Sequence, residues 1–126
     1  TDVFRKNEDG TIDIYEIKLM PELSEVIEWD LGIQYYVTHH LFEGKINSFN
    51  VVLRNIDGTP EIIDVKEKLH QQLEQVEEDI NKFKTILKDE IEPNIKMGNH
   101  CINPYKCEFL EYCKNQQNLN INALNL

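Results

Sequence analysis

Two carboxylates and an amine raise the first question of chemistry in this sequence. Asp2 and the run Glu16-Ile17-Lys18 flank Glu8-Asp9-Gly10, a stretch with the composition of a hairpin turn. A three-residue loop with Gly10 in the left-handed region pairs Asn7 with Thr11, and counting outward sets Asp2 opposite Glu16. A two-residue Asp9-Gly10 turn would set Val3 there instead. Directly opposed side chains have Cβ atoms about 4.5–5.5 Å apart, and like charges at that distance destabilise a sheet unless something compensates. Ile12, Ile14, Glu16 and Lys18 share one strand face, while Tyr15, Ile17 and Leu19 share the other. In the first register two carboxylates and an ammonium therefore converge at one end of the hairpin. Hard divalent cations take oxygen ligands, and Mg2+ is commonly held by one or two carboxylates plus waters and a substrate phosphate. Such an ion would relieve the repulsion, acidify a bound water and stabilise charge building on a phosphodiester. The lysine would orient or deprotonate that water, or neutralise the transition state. The plainer alternative is a cross-strand ion pair at a solvated sheet end, where a Glu and a Lys two residues apart are ordinary.

A second group with chemical potential is Cys101, Cys107 and Cys113, spaced C-x5-C-x5-C with His100 beside the first. These three are the only cysteines of the chain and do not form an even disulfide set; their crowding points to metal ligation. Zinc accepts three thiolates and one imidazole tetrahedrally, although ligands adjacent at 100 and 101 make that geometry awkward. Unliganded cysteines packed as small hydrophobes are the remaining reading.

These residues need elements to position them. Residues 1–7 alternate as a strand, and residues 11–19 form a second strand that reads as buried on both faces. From about Ser24 to Phe42, Val26, Ile27, Leu31, Ile33, Tyr36, Val37 and Leu41 recur at helical spacing, with Gly44 beyond the end. Residues 46–54 are rich in β-branched and aromatic side chains and predict a third strand, followed by a turn at Asp57-Gly58 and Pro60. A long helix comes next. Asp64-Val65-Lys66-Glu67 has capping-box form, and Leu69, Leu73, Val76, Ile80, Phe83 and Leu87 make an apolar stripe. Packing within the domain accounts for that stripe better than a coiled coil, which needs longer heptads with supporting charges. Pro93 ends the helix and Gly98 opens the cysteine segment. Trp29, Tyr35 and Tyr36 could stack bases but at helical spacing predict core, and His39, His40 and His70 predict surface. No internal repeat stands out.

At 126 residues, with 40% hydrophobic and 9% aromatic residues, the chain can close a core as one domain or part of one. No apolar run approaches the about 20 residues of a membrane span, which implies a soluble, cytoplasmic protein. Thirteen basic against 23 acidic residues give a formal charge of −10. That argues against a surface that coats DNA irrespective of sequence, though not against a local phosphate site or one that holds a metal.

The segment as a whole resembles the PD-(D/E)XK nuclease superfamily in its RecB-like branch: an Asp on one strand, a hairpin to a strand ending in [D/E]-x-K, then a helix bearing a Gln. Here these are Asp2, Glu16-Ile17-Lys18 and Gln34. The resemblance implies an α/β, restriction-endonuclease-like core with a mixed sheet flanked by helices, whose usual first helix and strand would precede Thr1. It implies Mg2+ or Mn2+ held by Asp2, Glu16 and the Ile17 backbone carbonyl, Lys18 as the catalytic lysine, and Gln34 touching that lysine or the DNA backbone. The chain departs from the RecB-like pattern at Thr38, where a Tyr is usual. The cysteine trio is similar to that of iron–sulfur nucleases of this branch, in which Cys101, Cys107 and Cys113 would join an upstream cysteine around a four-iron four-sulfur cluster. The expected organisation is a nuclease-like core over 1–97, a cysteine segment over 98–113 packing on it, and an asparagine-rich linker or tail over 114–126. The implied function is that of a fragment of a metal-dependent DNA nuclease of repair, recombination or defence, the activity being expected of the intact protein rather than of this fragment alone, with DNA and further domains of the same polypeptide as partners, no membrane, and no required oligomer. The alternative is a non-catalytic nuclease-fold module that binds DNA or protein.

Overall fold

The computed structural model describes residues 1–124. The chain divides into two compact units, residues 1–89 and the residues from Glu90 onward, ahead of the boundary expected at Gly98.

In the first unit a four-stranded sheet is built from β1 (Val3–Lys6), β2 (Ile12–Lys18), β3 (Ile46–Arg54) and β4 (Pro60–Asp64), in the order β1-β2-β3-β4. β1 and β2 are antiparallel, β2 and β3 parallel, β3 and β4 antiparallel, so the sheet is mixed. The parallel pair requires a crossover, which α1 (Glu25–Phe42) supplies. Ser24 caps α1, its hydroxyl accepting the Ile27 N–H at 3.3 Å. The helix lays Ile27, Leu31 and Tyr35 on one face of the sheet, against Ile12 and Ile14 of β2 and Phe49, Val51 and Leu53 of β3. Val65 and Leu69 close the same core. That stripe is narrower than the sequence periodicity implies. Val37 and Leu41 are 49% and 69% exposed, because α1 buries only one face. Trp29 is likewise 41% exposed, and of the three aromatics expected in the core only Tyr35 is fully buried.

The hairpin β1–β2 closes through the three-residue loop. Asn7 N donates to Thr11 O at 2.8 Å, Gly10 N to Asn7 O at 3.0 Å, and Gly10 has φ 85°, where a side chain would be strained. The β3–β4 hairpin repeats this construction. Asn7-Glu8-Asp9-Gly10-Thr11 and Asn55-Ile56-Asp57-Gly58-Thr59 share the pattern N-x-D-G-T. In each, the Asp Oδ1 accepts the Thr N–H at 2.9 Å and the Thr hydroxyl at 2.6 Å. β4 itself was not expected. Pro60 argued for a turn, but proline is tolerated at the first residue of an edge strand, and that is where it stands.

β2 differs from a strand buried on both faces. Its outward face carries Ile17, 46% exposed, and Asp13, only 4% exposed. The register between β2 and β3 shifts after Ile12, which pairs with Ile46 while Asp13 pairs with Ser48. The extra residue, Asn47, lets two neighbours reach one carboxylate: Asn47 Nδ2 and Ser48 Oγ donate to Asp13 Oδ1 at 2.8 and 2.7 Å. Asn7 Nδ2 and Arg5 Nη2 complete the set on Oδ2, each at 3.1 Å. Buried polar groups need such partners.

The expected long helix is two: α2 (Lys66–Gln71) and α3 (Leu73–Lys88). At Gln72 the N–H bonds to Leu69 O at 3.1 Å, a tightened turn that interrupts the helical ladder. The capping-box expectation changes too. Asp64 ends β4 and accepts the Lys66 N–H at 3.0 Å, while Val65 occupies the cap position without a side-chain bond. Along the stripe Leu69 and Val76 are buried, whereas Phe83 and Leu87 are 55% and 84% exposed.

The second unit holds a short 3-10 turn at Asn99–Cys101 and α4 (Leu110–Leu124). The asparagine-rich stretch expected as a linker or frayed end is therefore helical as far as Leu124. Tyr112 Oη donates to both oxygens of Glu92, at 3.0 and 2.8 Å, within this unit.

Candidate functional site

The carboxyl end of β2 gathers most of the residues that the sequence singled out. With Val3 paired to Tyr15, the next step outward sets Asp2 beside Glu16, on the face that also carries Lys18. Glu16 is 7% exposed. Its Oε1 accepts from Gln34 Nε2 at 3.3 Å, so α1 delivers Gln34 to the strand as the motif order implied. Its Oε2 is buried without a hydrogen-bond partner. The nearest charge to that oxygen is the Thr1 ammonium at 3.3 Å, close enough for an ion pair but not aligned as a hydrogen bond. A buried polar atom left without a hydrogen bond is costly and marks a place where a ligand would be welcome.

Asp2 is engaged differently. Its Oδ2 accepts the Ile17 N–H at 2.7 Å. One oxygen of Asp2 is thus taken up by the backbone amide of Ile17.

Lys18 and Gln34 both turn toward a residue that the sequence reading missed. Lys18 Nζ lies 2.6 Å from Asp30 Oδ2 and 3.9 Å from Glu16 Oε1. Gln34 Nε2 also donates to Asp30 Oδ2, at 3.2 Å, and Gln34 Oε1 accepts from the Thr1 ammonium at 3.3 Å. The hydrogen bond that Lys18 donates to Asp30 holds its amine above the ordinary range, with partial burial opposing it and Asp30, Glu16 and Asp2 adding charge attraction. Lys18 is an ammonium at neutral pH, which favours charge neutralisation over proton abstraction. Asp30 was findable: it precedes Gln34 by four positions on α1, the spacing that puts two side chains on one helix face.

Asp2 and Glu16 supply hard oxygens of the kind that Mg2+ or Mn2+ takes, and two carboxylates suffice for an ion that keeps waters or a phosphate. Among the described residues no group of three His, Cys, Asp or Glu side chains is gathered tightly enough to enclose a metal by itself. Cys101, Cys107 and Cys113 carry free thiols. Cys101 is buried, and the Cys107 N–H donates to its carbonyl at 2.7 Å.

Three histidines expected on the surface fall in one patch of the first unit. Tyr35 Oη lies 3.0 Å from His70 Nδ1, and His39 stacks on the Tyr35 ring at 5.6 Å. Burial, then the neighbouring His70, His40 and Lys66, lowers the pKa of His39. Burial chiefly raises that of Tyr35.

No protein-family model, no curated protein and no solved structure matches the chain. What stands on the coordinates is an α/β unit in which a four-stranded mixed sheet is flanked by helices. Among the described residues no helix is long and apolar enough to cross a membrane.

Proposed function

We propose that the first unit is part of a nuclease-like core of the PD-(D/E)XK type, and that the intact protein to which it belongs hydrolyses DNA phosphodiesters with Mg2+ or Mn2+. The observation that carries this reading is the buried Glu16 oxygen without a hydrogen bond, beside Asp2 at the end of a β-strand. Asp2 and Glu16 would hold the ion, with the Ile17 carbonyl as a third oxygen. When bound, such an ion activates water and stabilises charge on the phosphoryl oxygens. Lys18 contributes an ammonium to the phosphate, and Gln34 fixes the orientation of Glu16. The cysteine segment is a candidate for three thiolates of an iron–sulfur cluster completed from elsewhere. Iron and sulfide after anaerobic purification support that part, and zinc without iron replaces it.

Two measurements test the core of the proposal. Mn2+ at about one hundred times its Kd should stabilise the folded chain by about 2.7 kcal/mol, and Glu16→Ala should abolish the effect. Mg2+-dependent cleavage of single-stranded and duplex DNA should be lost in Glu16→Ala/Lys18→Ala. Equal cleavage by both proteins removes the site, and Mn2+ binding without cleavage favours the non-catalytic module.

A further inference from the structure

Asp30 has the geometry of more than a surface ion pair. Its Oδ2 meets both the Lys18 ammonium, at 2.6 Å, and the Gln34 amide, at 3.2 Å. The same two groups lie beside Glu16, at 3.9 and 3.3 Å. Asp30 and Glu16 therefore compete for one lysine and share one amide, and Asp30 holds the lysine more closely.

That competition matters to a cation. A divalent ion approaching Glu16 must displace the Thr1 ammonium, 3.3 Å from Oε2, and compete with Lys18, 3.9 Å from Oε1, and Coulomb attraction falls with distance. With the Asp30 charge removed, the acids left beside Lys18 are Glu16 and Asp2, the two groups that would hold the ion. An ammonium on a long, flexible stem reaches either of them. We propose that Asp30 is a positioning residue that draws the Lys18 ammonium off Glu16 and so spares a divalent cation one of the two positive groups, Lys18 and the Thr1 ammonium, that it would otherwise have to displace there. The inference rests on the metal reading of Glu16 given above. It assigns Asp30 no contact with metal or substrate: its influence passes through Lys18. The split of the Gln34 amide between Glu16 and Asp30 supports this, because the same helix face then fixes the side chains on both sides of the ligand oxygen.

A double-mutant cycle on Mn2+ affinity separates this from a simple effect of negative charge near the site. Mn2+ binding is measured by titration calorimetry for the wild-type chain, Asp30→Asn, Lys18→Met and the double variant, with thermal melts confirming that each is folded. Asp30→Asn should weaken Mn2+ binding about tenfold with Lys18 present and less than about twofold in the Lys18→Met background, a coupling of ordinary size for residues in contact. Asp30→Glu, which keeps the charge, should bind within about threefold of wild type; it also decides the matter if Asp30→Asn does not fold, since a tenfold loss there overturns the proposal. Equal weakening in both backgrounds means that Asp30 acts by charge alone, and an unchanged affinity in both means that it does not act; either overturns the proposal. A wild-type chain that takes up no Mn2+ instead overturns the metal reading itself, a result distinguishable from those two.

Discussion

Replacing Asp13 with alanine should be among the most damaging single changes to the first unit, although Asp13 lies outside the candidate site. The carboxylate is 4% exposed and receives Ser48 Oγ at 2.7 Å, Asn47 Nδ2 at 2.8 Å and Asn7 Nδ2 at 3.1 Å. Hydrogen bonds to a charged group contribute about 1.5–3 kcal/mol each. The Arg5 pair adds little, because the Arg5 side chain is 66% exposed and solvent screens it. Asn47 is exposed and the other two donors half-buried, so water recovers part of the loss. The net cost of Asp13→Ala is then roughly 2–4 kcal/mol. At about 4–8 °C per kcal/mol for a domain of this size, the midpoint should fall by roughly 10–30 °C. Asp13→Asn keeps one acceptor oxygen and should cost about half as much. The donors also hold the Asp13 pKa below its ordinary 3.8, Ser48 and Asn47 foremost, with burial opposing. A depressed carboxylate stabilises fully above the unfolded-state value and loses that contribution as pH falls through the folded-state value. The difference between wild type and Asp13→Asn should therefore be constant above about pH 5 and shrink below about pH 4. Thermal and urea melts followed by circular dichroism from pH 3 to 7 read the two effects. A midpoint for Asp13→Ala within a degree or two of wild type, or a difference that grows toward acid, refutes the reasoning.

Two other changes carry definite signs. Gly32 is buried in α1, and a Cβ built there meets Val76 Cγ2 at 3.5 Å, an ordinary contact; Gly32→Ala should stabilise by roughly 0.5–1 kcal/mol through helix propensity, and a lower melting temperature would show the α1–α3 contact to be tighter than that distance implies. His39 has a lowered pKa, so its unprotonated form stabilises the fold fully above about pH 6.5 and the contribution is lost as pH falls through the folded-state value. His39→Phe keeps an aromatic ring against Tyr35 and should flatten the decline in stability between about pH 7 and 5; an unaltered pH dependence assigns that decline to other groups.

Much of the scaffold was legible in the sequence because local chemistry and long-range packing agreed there. Glu8-Asp9-Gly10 marked the hairpin and narrowed its register to two choices, of which the structure takes the one that sets Asp2 opposite Glu16. The apolar recurrence from about Ser24 to Phe42 gave α1, and of its stripe Ile27 and Leu31 are on the buried face. Legibility failed where a local signal pointed away from the tertiary outcome. Pro60 read as a turn, but on an edge strand its missing N–H costs no ladder bond. The second N-x-D-G-T pentapeptide would have revealed the β3–β4 hairpin had it been compared with the first. Hydrophobic spacing alone could not show that Val37 and Leu41 face away from the sheet, nor that the ladder tightens at Gln72. Asp13 and Asp30 were passed over for a different reason. Each acts through partners distant in sequence, Asn47 and Ser48 for one and Lys18 for the other; Asp13 carries no local mark of them, and the local sign at Asp30 is Gln34 four positions on.

β1 is four residues long and, among the described strands, is zipped to β2 alone. The acid it brings to Glu16 is thus mounted on the part of the sheet most easily peeled away. An ion bridging the two would fasten that ribbon, and its escape rate would be governed by how often the ribbon lifts rather than by the strength of any single oxygen contact.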